Sequence, residues 1–600
     1  MPRPRLFTTL ALTAVLALTG CAPTASDDDG DTKVDASAKA RDWAERQLKS
    51  LSLEEKVGQM FTHYAYGQTA DTTESADVKR NQKLHGVDNA KQLIEKYHLG
   101  GIIYFGWSNN LANPGQVAGL SNGMQKTAMS QGGEIPLLVS TDQETGTVVR
   151  LGPPATEWPG NMALGAGRDR GDARDTAAIA GVELRAVGIN QNFAPSGDVN
   201  VNPQNPVIGV RSYSSDPKLV AKFTGEQVKG YQGRHGTSAT VKHFPGHGDT
   251  HEDSHTDLPR IEHTKEQWKK LDAPPFKAAI KSGVDTVMSA HIQFPALDAS
   301  EKPATLSKPI LTGLLREELG FDGVIVTDSL GMQGVRELYT DAEIPVMAIK
   351  AGVDQLLMPA DLKVAYEAVL AAVKSGEITE KRIDKSVKRL LTLKYLRGVV
   401  KNPYVDPDKV DDTVGTEDHL ATAQAITDKT TTLVKNDGDA LPLSKDTGKV
   451  FVAGDGANTT SILAKQIGKL GPATEALNTG ADPNAATISG AVEKAKQADV
   501  AVVATNTVRA HPAQADLVKA LRDSGTKVVV VGVKEPYDIN RFPEVDSYVA
   551  SYGYNTPVLT AVAKVLFGEV DPRGKLPVTI PKADDPDATL YEFGHGLSYE

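Results

Sequence analysis

From about Ser52 the chain alternates short runs of apolar, β-branched residues with stretches whose apolar positions recur at helical spacing. Runs that are apolar throughout, rather than alternating with polar residues, suit strands covered on both faces, as in parallel βα units. They fall at 59–62, 101–105, 136–140, 189–193, 238–241, 284–289, 323–327 and 353–357. Eight such units over about 340 residues predict a (β/α)8 TIM-like barrel rather than an open sheet. Ser52 followed by Glu55 predicts a capping box at the first helix. The helical pattern stops near Leu396, and Asn402-Pro403-Tyr404-Val405-Asp406-Pro407 reads as a linker. Further runs at 450–453, 500–504, 528–533 and 547–551 then predict an open, largely parallel α/β/α sandwich. Gly454-Asp455-Gly456 lacks the third glycine of a dinucleotide fingerprint and reads as a tight turn.

The residues just past the barrel strands are polar. Asp142 and Glu144 follow the third, Asn192 and Asp198 surround the fourth, and Lys242 and His243 follow the fifth. His291 follows the sixth and Asp328 the seventh. In a barrel these positions converge on the face that carries active sites. Any one of them can equally be a loop cap; for Asp328 the alternative is an N-cap on a helix beginning at Ser329.

Between His243 and His255 four histidines are spaced by four residues. Pro245, Gly246 and Gly248 oppose a helix, so a loop is expected. Three uses remain open at this point. The imidazoles can hold a metal, they can satisfy buried backbone groups, or Asp253 can orient His255 for proton transfer. Asp328, ending the run Gly323-Val324-Ile325-Val326-Thr327, supplies a carboxylate able to attack an anomeric carbon.

Composition narrows the partners. A formal charge of −11 argues against nucleic acid and anionic membrane surfaces. Arg3 and Arg5 precede an apolar run from Leu10 to Leu18, a secretion signal over 1–20. Leu18-Thr19-Gly20-Cys21 is similar to a lipoprotein processing site, making Cys21, the chain's single cysteine, the expected lipidation point. The expected order is a flexible tether over 21–40, the barrel over 41–400, the linker over 401–415 and the sandwich over 416–600. Such a chain would sit lipid-anchored on the outer face of the cytoplasmic membrane, as a monomer.

Lys242-His243-Phe244-Pro245-Gly246-His247-Gly248, followed after four residues by Asp253-Ser254-His255, resembles the signature of β-N-acetylglucosaminidases of glycoside hydrolase family 3. Asp142-Gln143-Glu144, Asn192-Phe193-Ala194-Pro195, the segment from Pro206 to Ser212, Thr327-Asp328-Ser329 and the closing Phe593-Gly594-His595-Gly596 match in the same order. The resemblance implies Asp328 as nucleophile, His255 as acid/base and Asp253 as its partner. It implies that Asp142, Arg150, Arg211, Lys242 and His243 bind the sugar, and that no metal or cofactor is used. The implied reaction is retaining hydrolysis of β-linked N-acetylglucosaminides from peptidoglycan or chitin fragments. An imidazole acid/base does not repel an anionic acceptor, so a phosphorylase is the alternative. A lipoprotein that binds glycans or metal without turnover is another. The chain departs from the family at Thr145 and Thr147, where members carry glycine and arginine. Trp107 and Trp158 lie in catalytic-face loops and can stack on sugars, although burial is the expected role for both.

Overall fold

In the computed structural model, which describes residues 28–233 and 236–599, the Ser52 hydroxyl accepts from the Glu55 amide at 3.2 Å. The Glu55 carboxylate accepts from the Ser52 amide at 2.8 Å, so the predicted capping box opens the helix Leu53–Gln59. That helix absorbs Gln59, and the first strand, β1, runs from Phe61 to His63, two residues later than expected. The remaining barrel strands are β2 (Gly101–Ile103), β3 (Leu138–Thr141), β4 (Gln191–Asn192), β5 (Ser238–Phe244), β6 (Thr286–Ser289), β7 (Val324–Thr327) and β8 (Leu356–Leu357). All neighbouring pairs are parallel, in chain order from β1 to β7, with β8 beside β1. A parallel bridge between Val326 and Gln355 joins β7 to β8 and closes the ring. Every residue of these strands is buried, which is why β2 and β7 do not alternate with polar positions, while the polar residues of β4 and β5 are buried with partners inside the barrel or at its end. Within the barrel, Gln355 donates to Thr62 at 2.8 Å and pairs with Gln191, so the buried amides satisfy each other.

The second domain is a six-stranded sheet: β9 (Thr432–Asn436), β10 (Lys449–Gly454), β11 (Ala473–Asn478), β12 (Val500–Thr505), β13 (Lys527–Gly532) and β14 (Ser547–Ala550). The order is β11-β10-β12-β13-β14-β9, parallel except for the antiparallel edge strand β9. Sequence reasoning missed both edges. β11 reads Ala-Thr-Glu-Ala-Leu-Asn, with only partial burial and no β-branched run to mark it. The two domains share apolar packing. Met162, Ala163 and Ala166 of the helix Asn161–Gly167, together with Val210, lie in one core with Phe451, Tyr548 and Tyr552. The linker is pinned as well: Asn122 donates to the Val405 carbonyl at 2.8 Å and accepts its amide at 2.9 Å.

One expectation is corrected here. The segment read as a tether is helical from Asp28 to Ser50. Its later turns pack on the helix Glu380–Leu396, burying Ala40 and Ala44 and setting Trp43 against Tyr395. Alanine-rich sequence needs only one apolar stripe to dock as a helix. The signal segment and Cys21 lie outside the described residues. No helix among the described residues is long and apolar enough to cross a membrane.

Candidate active site

The carboxyl ends of the strands open into one cavity of about 380 Å³. Asp142, Arg150, Arg211, Lys242, His243, His255 and Asp328 all line it, as barrel geometry requires of residues placed just past the strands. Asp253 stands behind His255. The predicted site residues that the structure describes therefore come together in one place.

Lys242 and His243 belong to β5 itself, at a point where its pairing with β6 shifts register between Val241 and Phe244. A bulge of this kind re-aims side chains. Lys242 Nζ meets Asp142 Oδ1 at 2.8 Å and Glu144 Oε1 at 2.6 Å. Arg211 grips Glu144 with two parallel hydrogen bonds of 2.8 Å. Burial opposes ionisation of Glu144, but Arg211 and Lys242 overcome it and hold its carboxyl far below the usual range. Asp142 keeps its second oxygen towards Arg150, 3.9 Å away. The cluster is thus a pair of acceptors and three cations facing a cavity, a set suited to the hydroxyls of one sugar ring.

Glu144 and Asp198 organise this cluster, and sequence reasoning recognised them only as strand-end polar residues. Asp198 is fully buried and accepts from His243 Nδ1 at 2.8 Å, Ser196 Oγ at 2.9 Å and the His247 amide at 2.8 Å. With Nδ1 committed to Asp198, His243 turns Nε2 towards Arg211 at 3.4 Å. Their signal was the placement of a carboxylate two positions past Asp142 and of another six past Asn192.

Asp328 follows β7. Its amide donates to the Ser289 carbonyl at 3.2 Å, and its Oδ1 accepts from the Ser329 amide at 2.7 Å. Burial pushes its carboxyl up, but His243, His291, the Ser329 amide and Lys242 together hold it below the ordinary aspartate value. It is therefore an anion at neutral pH, half-buried on the wall of the cavity. His291, also unassigned from sequence, holds the adjoining turn by bonding the Ser329 carbonyl at 2.9 Å. The alternative role of Asp328 as a helix cap does not hold, since the helix after β7 begins only at Gln333 and its N-cap is Met332.

The histidine segment is a loop, as the glycines and proline predict. A Cβ at Gly248 would sit 1.7 Å from the Val199 carbonyl oxygen, and Gly246 has φ +138° against Asp272, so only glycine fits either place. The four imidazoles take separate partners. His243 bonds Asp198, His247 bonds Thr250 at 3.0 Å and Ser254 at 2.9 Å, and His251 meets Asn202 at 3.4 Å. His255 Nδ1 meets Asp253 Oδ1 at 2.6 Å, and its amide donates to the same oxygen at 2.9 Å. This fixes the ring and leaves Nε2 free for the cavity. Burial raises the Asp253 carboxyl, but the His255 bonds outweigh it and hold it below the usual value. The loop is tied to the short helix Gln333–Arg336 that follows β7, with the Gly334 and Gln333 amides donating to the Ser254 and His255 carbonyls. Among the described residues no three His, Cys, Asp or Glu side chains are grouped to hold a metal ion.

A fifth histidine, His263, clamps the loop by bonding Asp249 at 2.9 Å and Asp272 at 2.7 Å. These two carboxylates raise its ring to about 10. A raised folded-state value stabilises the fold fully below the ordinary 6.5 and loses that contribution as pH climbs towards 10. His263→Ala is expected to cost several kcal/mol near pH 6 and roughly half as much by about pH 8–9. Urea unfolding of both proteins across that range checks it.

The departures from the family are visible. Thr145 adopts φ +76°, a left-handed conformation costing an L residue about 1–2 kcal/mol. Its hydroxyl donates to the Pro159 carbonyl at 3.2 Å, which offsets part of that. Trp158 is buried as expected, but Trp107 is 52% exposed and lines the cavity, contrary to the expectation of burial.

The second domain reaches this site indirectly. Arg168 donates to the Leu576 carbonyl at 2.7 Å and Asn200 to the Tyr537 hydroxyl at 3.2 Å. Asn161, on the interdomain helix, donates to the Arg211 carbonyl at 2.7 Å. The domain thus braces the loop that carries Arg211.

Residues 52–393 match the description "Glycosyl hydrolase family 3 N terminal domain" and 431–599 its C-terminal domain. Beta-hexosaminidase A of Pseudoalteromonas piscicida is 35% identical over 82% of this chain and 90% of its own length. A solved glycoside hydrolase family 3 beta-N-acetylglucosaminidase from Paenibacillus sp. str. FPU-7 is 40% identical, with a TM-score of 0.81, over 88% of this chain and 99% of that one. A beta-glucosidase from Listeria innocua shares the fold at 20% identity, with a TM-score of 0.80 over 93% of this chain and 83% of that one.

Proposed function

The chain belongs to glycosyl hydrolase family 3, and we propose that it is a retaining β-N-acetylglucosaminidase working through a glycosyl-Asp328 intermediate. One observation carries the reading: a half-buried anionic carboxylate, Asp328, and the imidazole of His255, whose Nδ1 is held by Asp253 at 2.6 Å, face the same cavity as the sugar clamp.

In the first step His255 Nε2–H donates its proton to the glycosidic oxygen as that bond breaks, while an Asp328 oxygen bonds the anomeric carbon. The leaving sugar departs with the proton. In the second step neutral His255 takes a proton from water, whose oxygen displaces Asp328. Two inversions keep the configuration. Asp142, Arg150, Arg211, Lys242 and His243 hold the N-acetylglucosamine ring. They position C1 over Asp328, where orientation contributes much of the rate.

The likeness to beta-hexosaminidases and to a solved beta-N-acetylglucosaminidase supports the substrate class. The lipobox-like Leu18-Thr19-Gly20-Cys21 supports lipid anchoring outside the cytoplasmic membrane. There peptidoglycan fragments are the natural substrate. The test is an assay of nitrophenyl β-N-acetylglucosaminide with and without millimolar phosphate. Free N-acetylglucosamine is the expected product in both. Sugar 1-phosphate as the main product would make the protein a phosphorylase.

A further inference from the structure

At the seam between the domains lies another cavity, of about 280 Å³, apart from the catalytic one. The barrel lines it with residues 202–204 and, from the histidine loop, His251. The second domain lines it with Arg509, with Glu535 and the short helix Pro536–Arg541 that follows, and with the stretch 581–586. Hydrogen bonds hold these walls. Asn202 donates to the Thr250 carbonyl at 3.2 Å and Asn540 to the Pro581 carbonyl at 3.2 Å, and Asp538 Oδ1 accepts from the Val508 amide at 2.8 Å.

What the cavity lacks is partners for its charges. Glu535 is only 7% exposed, yet among the described residues its carboxylate has no hydrogen bond and no ion pair. Burial raises its carboxyl, and Lys534 and Arg509 offset that only in part. A buried acidic group left in this way is costly unless something else meets it. Asp538 lines the same cavity; burial raises it to about 7, and its Oδ2 has no hydrogen-bond partner. Arg509, Arg541 and Lys582 line the cavity too, exposed and without a carboxylate partner among the described residues. A simple anion would be repelled by Glu535, and a simple amine by those cations. A group carrying both signs satisfies the whole wall. Its ammonium would hold the Glu535 carboxylate ionised, and its carboxylates would take charge-assisted hydrogen bonds from the arginines and the lysine. The volume lies just under the range of ordinary small-molecule sites, about 300–1,000 Å³, which suits a ligand of dipeptide size.

The cavity adjoins both loops that shape the active site. A Cβ on Gly209 would lie 3.7 Å from Glu535 Oε1, so Glu535 abuts the loop that carries Arg211. His251 belongs to the loop that carries Asp253 and His255. Resting on the peptidoglycan reading above, we propose that this interdomain cavity is a second binding site, which takes the charged peptide portion of peptidoglycan fragments. Such peptides carry free amines and carboxylates together, the combination that the wall leaves unpaired. The peptide arrives either on the sugar being cleaved or as a separate fragment, and the two sources differ in their effect on turnover.

The test is calorimetry on the full chain with the dipeptide γ-glutamyl-lysine, which carries both signs. Wild type is expected to bind it, and affinity is expected to fall about tenfold or more in Glu535→Gln and in the surface variant Arg541→Ala. Glutarate and cadaverine, each of one sign, are expected to bind at least about tenfold more weakly than the dipeptide. Turnover of nitrophenyl β-N-acetylglucosaminide is expected to stay at the wild-type rate in both variants, which separates a binding loss from a folding defect. A disaccharide substrate with and without its peptide distinguishes the sources. A lower KM for the peptide-bearing form, lost in Glu535→Gln, supports a peptide delivered on the substrate; dipeptide binding without that difference supports a separate fragment. No dipeptide binding by wild type, equal binding by all three proteins, or equally tight binding of the single-sign probes would overturn the proposal. A wild-type protein that binds the dipeptide but cleaves no N-acetylglucosaminide would support the peptide site and overturn the glycosidase reading instead.

Discussion

Asp328→Asn is expected to lower kcat on a nitrophenyl β-N-acetylglucosaminide by at least about ten-thousand-fold, with the folded structure kept. Asparagine preserves the shape at the end of β7 and can still accept from the Ser329 amide that bonds Oδ1 at 2.7 Å. What it removes is the anion, which His243, His291, the Ser329 amide and Lys242 hold ionised against burial. An amide oxygen is too poor a nucleophile to bond the anomeric carbon, so the first step stops. Asp328→Ala makes the assignment more specific, because it leaves a gap beside C1. Azide can enter that gap and attack in place of the carboxylate, giving a glycosyl azide of inverted configuration. Rate recovery with azide and an inverted product identify position 328 as the nucleophile. A variant retaining more than about a tenth of wild-type kcat would remove Asp328 from the chemistry.

The second large effect is on stability and lies one shell back. Glu144 has 2% of its side chain exposed and neutralises the buried Lys242 and the half-buried Arg211. Its removal takes away the carboxylate partner of Arg211 and leaves Lys242 with Asp142 alone, and breaking a buried pair this way costs about 3–5 kcal/mol. Glu144→Ala is therefore expected to lower the denaturant midpoint sharply as well as abolish sugar binding. Glu144→Gln keeps the hydrogen-bonding outline but not the charge, and is expected to fall between. The depressed carboxyl sets the sense of the pH dependence. Its contribution is present above the ordinary 4.5 and fades as pH falls below it towards the folded value. The gap in stability between wild type and Glu144→Gln should narrow below about pH 4. A gap that widens in acid would contradict this assignment of charge.

Much of this arrangement is legible in the residues, for physical reasons. Strands buried on both faces favour apolar runs, so β2, β3, β6 and β7 announce themselves, and the barrel directs the residues after each strand to one face. Asp328, Lys242 and His243 are legible in this way. The histidine loop is legible because Pro245, Gly246 and Gly248 forbid the helix that a spacing of four suggests. The rest is hidden for equally physical reasons. β11 lies at a sheet edge and needs no apolar run. The helix Asp28–Ser50 is polar except for one docking stripe, which in sequence looks like a solvated tether. Trp107 reads as a buried residue because apolarity alone cannot distinguish an indole that supports a core from one that faces a cavity. The part played by Glu144 and Asp198 depends on which cations they meet, and that is decided only when β3, β4 and β5 are brought side by side.

The central claim is that Asp328 bonds the sugar, and trapping that bond tests it most directly. A 5-fluoro-N-acetylglucosaminyl fluoride keeps the acetamido group and slows both steps, the second more than the first. Incubation followed by peptide mass spectrometry is expected to find one fluorosugar adduct, on Asp328. Steady turnover of the reagent with no adduct, or an adduct on another residue, would contradict the account.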